Sequence, residues 1–439
     1  MTSRRAALWA LGIIFAANFL NYLDRQLVSA LEKPLEEALG LDAFEFGLLW
    51  TLFTLGYMLC AVPTGFLADR TSRTRLFGLC ILIWSAATIA SGMAQSKEVL
   101  YVARVLIGVG EAGCLIIGPS LISDLFTKEV RGRALSVFYL GMPLGGTTAF
   151  ILTAVLFYID WREVYEAAGL PADLIDIYLA APWRNMFYLA GLPGLLVAAL
   201  IAAMPDPPRG ASEGAHHGMH GGGLGQYLHL LRTPTLLLII LGQAFSVVTL
   251  IPLIHFGVKF FEDERGLGPQ EARLLAVVFL VAGVCGMVVS GLLGDRLAQR
   301  MKGAYALLAG VCFLTGWPCL LAGFLVPDRG VFLPALTAGC FLIFMCMPAV
   351  NTQIANVVSP AQRGTAWALA VFILHLLGDT LAPPVFGLVS DRIGRQTAFT
   401  VFSGALIFAG LCCLAAAATA PRDAERVTRL AHAGGERPV

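Results

Sequence analysis

The sequence predicts an all-α integral membrane protein of twelve transmembrane helices in two pseudo-symmetric six-helix halves. Three observations predict it. Of the 439 residues 57% are hydrophobic and 13% charged, which leaves too little polar surface to cover a soluble particle of that size. Twelve runs approach the roughly 20 apolar residues that cross a bilayer core of about 30 Å. Two stretches also repeat each other: Gly65-Phe66-Leu67-Ala68-Asp69-Arg70, running into Arg73 and Arg75, and Gly291-Leu292-Leu293-Gly294-Asp295-Arg296, running into Arg300 and Lys302. Each ends an apolar run and opens a basic loop, as one unit used twice would do.

The first run, 7–30, carries Asn21-Tyr22-Leu23-Asp24-Arg25 near its far end. It is too long, and that segment too polar, for a cleaved signal sequence, so it stays as the first membrane helix. The second, 45–68, ends in the first copy of the repeat, and the third, 75–94, starts beyond its arginines. The fourth, 98–122, holds Arg104 and Glu111. The fifth, 131–158, contains Gly141-Met142-Pro143-Leu144-Gly145-Gly146, small and kinking residues suited to close helix packing. An insert, Trp161 to Pro182, follows, with Leu174, Ile175 and Tyr178 expected on one side of a short surface helix. The sixth run, 184–204, is stopped by Pro205-Asp206-Pro207-Pro208. The second half repeats the plan with runs at 236–260, 272–294 (ending in the second copy), 303–326, 331–356, 364–389 and 397–419.

These runs divide the chain into a half at 1–204, a linker at 205–235, a half at 236–420 and a tail at 421–439. The linker is rich in Gly and His without an apolar period, and His216, His217 and His220 read as part of a solvated loop rather than a metal site. Most of the 30 Lys and Arg fall in the even-numbered turns and the two tails, which places both termini in the cytoplasm of a multi-pass protein of the cell's inner membrane. Arg392 and Arg395 lie on the opposite side, so the orientation rests on the sum.

Several function classes are excluded. A net charge of +1 without a long basic run argues against nucleic acid as a partner. No Gly-Lys dipeptide occurs, so ATP held in a phosphate-cradling loop does not drive this chain. The 10 Cys are mostly isolated within apolar runs, as small core residues, with no metal-ligand spacing. No nucleophile accompanied by a base and an orienting group is visible, so an enzyme is not expected, nor a bound metal or cofactor.

The two halves with their repeated Gly-x-x-x-Asp-Arg, and Arg131-Gly132-Arg133-Ala134 answered by Arg363-Gly364-Thr365-Ala366, resemble the major facilitator superfamily of secondary transporters over almost the whole chain. A third copy, Gly387 to Arg392, departs from that family's placement. Independently of the resemblance, Gly65 and Gly291 would permit close helix approach, while Asp69 and Asp295 can bond neighbouring helix ends and arginines. The resemblance implies that Gly65, Asp69, Arg70, Arg73, Gly291, Asp295 and Arg296 form a conformational latch.

Three further segments resemble the spinster subfamily: Asn21 to Arg25, Arg104 through Gly108-Val109-Gly110-Glu111-Ala112, and His375-Leu376-Leu377-Gly378-Asp379 followed by Pro383. Spinster relatives carry lysolipids and sphingoid lipids, and proton coupling has been proposed for some. The resemblance therefore implies a small amphiphilic substrate, protons drawn from a gradient, and membrane lipid as the surrounding partner, acting on a monomer. It makes Asp24 and Glu111 the proton-responsive acids and sets Arg25 or Arg104 at the anionic head.

The residues point the same way by themselves. An ionisable side chain inside a bilayer costs at least about 2.5 kcal/mol and persists mainly where it faces protein or water. Asp24 and Arg104 lie at one depth and can pair if their helices adjoin. Glu111 follows Arg104 by seven residues, two turns along one helix face, about 10 Å away. A static ion pair ordering the first half is the alternative, and Arg25 could instead snorkel to the interface.

An offset of 232 between the halves sets Leu336 opposite Arg104 and Ile343 opposite Glu111, so these charges belong to one half. The second half offers Gln243 and Ser246, then Asn351, Thr352, Gln353 and Asn356, then His375 and Asp379, which are one helical turn apart. A site contacting Asn21, Tyr22, Arg25, Arg104, Gln243, Asn351, His375 and Asp379, charged mainly on one wall, suits an amphiphile better than a sugar. The expectation is a proton-coupled secondary transporter of lysolipid or sphingoid amphiphiles working by alternating access. A facilitator or symporter of small organic anions or sugars, and a receptor that binds without transport, remain open on the same scaffold.

Overall fold

The computed structural model describes residues 4–208, 230, 232–358 and 363–433. The linker histidines lie outside the described residues, as does the tail beyond 433, and so do the side chains of Asp69, Arg131 and Arg363.

Among the described residues twelve helices are long and apolar enough to cross a membrane, the first at Arg5–Ala30 and the last at Arg395–Arg426. Each falls where an apolar run predicts it. Their ends are fixed by local chemistry: Asp42 and Glu45 form a reciprocal capping box at the start of the second helix, and Ser72 caps the third by accepting from the Arg75 amide. Pro182 starts the sixth, where a missing N–H costs nothing.

Three departures from the predicted elements matter. A short helix at Glu32–Leu39, which its polar sequence conceals, links the first two spans and buries Glu32, Leu35 and Glu36. The fourth span is two helices, Lys97–Glu111 and Cys114–Leu125, broken directly after Glu111. The eleventh is interrupted by a π-helical turn at His375–Thr380, between Arg363–Leu374 and Ala382–Ile393. In the insert, π-helical winding of Ile175–Leu179 separates the expected apolar side. Ile175 is buried, Leu174 is exposed, and the Tyr178 hydroxyl accepts from Gln95.

The chain divides into two compact units, Met1–Gly218 with His255–Val277, and Met219–Ile254 with Val278–Val439. In the first, helix packing is tightest where glycine removes the side chain. A Cβ added at Gly108 would strike the Phe53 carbonyl of the second span, and one at Gly145 would strike the Phe19 carbonyl of the first. The glycines of the Gly141–Gly146 motif thus serve close packing.

The latch glycines do not. Among the described residues a Cβ at Gly65 would find only Ile116 Cγ2 at 3.9 Å, and one at Gly291 would meet nothing within 4 Å. The expectation that these two let helices approach closely is therefore corrected: spacing identifies a repeat but not what faces it. Among the described residues Asp295 accepts from the Tyr305 hydroxyl at 2.6 Å and bonds no arginine or helix end. Arg70 folds over its own helix onto Phe66, 3.4 Å from the ring centroid, and Arg296 is exposed.

Among the expected latch residues whose side chains are described, Arg73 has a built environment. Its guanidinium is buried and donates to Asp206 Oδ1 at 3.0 and 3.1 Å, to Asp124 at 2.5 Å, to Ser120 Oγ at 3.0 Å and to the Pro207 carbonyl at 2.7 Å. It ties the start of the third span to the end of the fourth and to the segment that leaves the sixth.

Candidate functional site

Four spans of the first unit converge on one buried charge cluster. The first span supplies Asn21, Tyr22, Asp24 and Arg25, the second an aromatic stripe, the third Thr88, and the fourth Arg104 and Glu111. Asp24, Arg104 and Glu111 are 2%, 0% and 0% exposed. Burial to that degree makes each unmatched hydrogen bond expensive.

Arg25 Nε donates to Glu111 Oε2 at 2.6 Å, an ion pair across the first and fourth spans. The Arg25 guanidinium carbon also lies 4.9 Å from the Tyr22 ring centroid and 5.1 Å from those of Phe53 and Tyr57. A charge-assisted bond within three aromatic rings holds this side chain among protein groups rather than at a snorkelling interface. Trp50, Phe53 and Tyr57 follow one another at helical spacing, a signal present in the sequence that charge-centred reading passes over.

Arg104 differs. Its guanidinium is completely buried, over Trp50 at 5.6 Å and Phe53 at 5.1 Å, and none of its three nitrogens has a hydrogen-bond partner among the described residues. The expected Asp24–Arg104 pair is not formed, because Asp24 turns to the third span and accepts from the Thr88 hydroxyl. That hydroxyl also lies 2.9 Å from the Trp84 carbonyl one turn earlier. Both Asn21 side-chain amide atoms, Asp24 Oδ1, Glu111 Oε1 and Trp50 Nε1 are likewise buried and unmatched. The cluster thus presents donors and acceptors that the described protein groups do not satisfy.

The far end of the seventh span belongs to this unit. His255 stacks on Trp50 with centroids 3.5 Å apart, and its Nδ1 is 2.7 Å from Ser29 Oγ. Lys259 and Asp263 follow on the same helical face and pair with Glu36 and Lys33. Arg273 at the start of the eighth span donates to the Ala30 carbonyl at 3.2 Å. Thr88, His255 and Ser29 escape sequence reading because a lone polar residue in an apolar run does not reveal which helix it meets.

The candidates of the second unit lie apart from that cluster in the chain. His375 and Asp379 do form the expected pair, on the π-helical turn. Within that turn Gly378 lies against Val247 of the seventh span, where an added Cβ would collide. Gln243, one turn before Val247, has its amide nitrogen 3.9 Å from the Met347 sulfur. Asn351 is half-buried, while Gln353 is fully buried with both amide atoms unmatched among the described residues. Leu336 and Ile343, the positions opposite Arg104 and Glu111, are fully buried against Gly323 and Gly316 of the ninth span. They are core residues.

A twelve-span chain of this plan, with ionisable residues gathered within its spans, has the form of a secondary transporter. The model of the Major Facilitator Superfamily matches residues 14–383, and the chain belongs to that family. Its relatives there are spinster proteins: Protein spinster of Drosophila melanogaster is 25% identical over 89% of this chain and 63% of its own length, and Protein spinster homolog 1 of Homo sapiens is 29% identical over 86% and 72%. Within that superfamily the chain is similar to the spinster proteins. It spans less than two thirds of the Drosophila protein.

Solved structures agree on the fold. A bacterial homologue of the human lysosomal transporter spinster, inward-facing and unoccupied, superposes with a TM-score of 0.89 at 24% identity, covering 96% of this chain and 99% of its own. The xylose transporter of E. coli in an inward-open conformation gives 0.68 at 14% identity, covering 93% and 96%.

Proposed function

We propose that the protein is a proton-coupled secondary transporter of amphiphiles with an anionic or zwitterionic head, of the lysolipid or sphingoid class, working by alternating access. The observation that carries this reading is the buried Arg104 guanidinium with no hydrogen-bond partner among the described residues. An unpaired buried cation is costly, and a bound anion would supply what the protein withholds. Asp24 and Glu111 are the proton-responsive acids, each with one oxygen engaged and the other unmatched. The lipid class is what the resemblance to spinster proteins implies. The carrier acts as a monomer in the inner membrane with both termini cytoplasmic.

The rings around the cluster, Tyr22, Trp50, Phe53 and Tyr57, favour a substrate that joins charge to apolar surface. A carrier of small organic anions would use Arg104 equally and is the second reading. Proteoliposomes separate the two: lysolipid should be taken up, and should compete with any organic anion. Transport of the organic anion with no movement or competition by lysolipid would reject the lipid reading. Asp24→Asn and Glu111→Gln should each weaken the response to a pH gradient, and an unchanged response in both would remove the coupling role.

A further inference from the structure

The four ionisable groups of the cluster, Asp24, Arg25, Arg104 and Glu111, cancel formally to zero when all are charged. Three are nearly or fully excluded from solvent, and Arg25 has a side-chain exposure of 14%. The other titratable side chains that face them are Tyr22 on the first span, Tyr57 on the second, Cys114 on the fourth and His255 on the seventh, with Cys80 of the third behind Cys114. No further Asp, Glu, Lys or Arg faces the cluster among the described residues.

A cluster already balanced has no spare positive charge for an incoming anion, although Arg104 has spare hydrogen bonds. In so buried a place an unbalanced charge is costly. The balance can be restored from within, because each acid has room for a proton. Asp24 Oδ1 and Glu111 Oε1 are the unmatched oxygens, and the Thr88 hydroxyl can serve either state of Asp24. It donates to the carboxylate, or accepts from the protonated acid while donating to the Trp84 carbonyl.

We infer that the site takes up one proton for each net negative charge of the bound headgroup, placed on Asp24 or Glu111, up to two. A zwitterionic head brings none, a monoanion one and a dianion two. This rests on the anion-binding reading above, but it fixes the coupling ratio by headgroup charge and not by lipid identity.

Calorimetric titration of the purified full-length protein in two buffers of different ionisation enthalpy counts these protons. Lysophosphatidylglycerol, a monoanion whose phosphodiester does not titrate near neutrality, should bring one proton, lysophosphatidylcholine none and lysophosphatidic acid, whose phosphomonoester is a dianion above neutral pH and which carries no amine, two. Monoanion affinity should rise about tenfold per unit fall in pH. Glu111→Gln and Asp24→Asn each remove one negative charge, so each should lower uptake by one, from one to none for the monoanion and from two to one for the dianion. A dianion that carried its own proton would show no such drop. If Glu111→Gln does not fold, Asp24→Asn and the headgroup series decide.

Octanesulfonate serves as a non-lipid monoanion. If it binds with one proton while lysolipids do not bind, the lipid class falls and the charge rule stands. Equal uptake for zwitterion and monoanion, or uptake unchanged in both variants, overturns the rule with binding intact. Failure of every anion to bind overturns both.

Discussion

Thr88 and Asp24 meet at a single hydroxyl that has two acceptors within reach and one hydrogen to give. Thr88 Oγ1 bonds Asp24 Oδ2 and lies 2.9 Å from the Trp84 carbonyl. With Asp24 ionised the hydroxyl donates to it; with Asp24 protonated the acid donates to Thr88, which then donates to Trp84. The proton changes place while the heavy atoms stay, so the third span registers the charge state of the first without repacking.

Thr88→Val removes this relay while keeping the shape of the side chain. A bond to a charged group is worth about 1.5–3 kcal/mol, so transport should fall roughly tenfold or more. Thr88→Ser should keep it. The midpoint of the pH profile should move in the valine variant and not in the serine one. A valine variant with unchanged rate and pH profile would reduce Thr88 to a packing residue.

Arg73 should behave as a structural anchor. Removing it leaves Asp206 and Asp124 facing each other without the cation that joins them, and breaking such a buried pair costs about 3–5 kcal/mol. Arg73→Ala is expected to melt well below the parent protein in detergent. Arg73→Lys should recover only part of the loss, because an ammonium cannot present the fork that reaches Asp206, Ser120 and Pro207 together.

Two glycine substitutions test the packing directly. Gly108→Ala would push a methyl group into the Phe53 carbonyl, and overpacking of this kind typically costs about 1–3 kcal/mol. Gly291→Ala, with open space around it, should leave the melting temperature unchanged. The comparison is a thermal melt of each variant, and equal stability of the two would contradict the tight contact between second and fourth spans.

The same glycines mark what could be read from the chain alone. All twelve spans were legible, because the length and apolarity needed to cross a bilayer are properties of a run by itself. The charges Asp24, Arg25, Arg104 and Glu111 were legible as well, since each interrupts such a run. Their pairing was not: Arg25 takes Glu111, Asp24 takes Thr88, and Arg104 takes neither acid. Partnership depends on helix rotation, which a nearly uniform apolar helix does not encode. The short helix Glu32–Leu39 escaped because its polar face resembles a loop. The packing role of Gly65 and Gly291 was inferred from a repeat, although nothing in a repeat says which neighbour is close.

Arg104 should respond to substitution in the opposite sense to Arg73. Both are buried arginines, but Arg73 has its donors matched by carboxylates, a hydroxyl and a carbonyl, whereas Arg104 has three nitrogens without a partner among the described residues. A buried charge left unmatched weakens the ligand-free fold, and its cost is repaid only when an anion arrives. Arg104→Met, similar in length and apolar like the Trp50 and Phe53 rings beside it, should therefore raise the melting temperature of the ligand-free protein at a pH low enough for Asp24 or Glu111 to take the one proton that keeps the cluster neutral. It should also abolish anion binding, and the stabilisation that added lysolipid gives the parent protein should vanish. Thermal melts with and without lysophosphatidylglycerol measure both effects. A methionine variant that melts lower and still binds would show that Arg104 holds the helices together and does not receive the substrate.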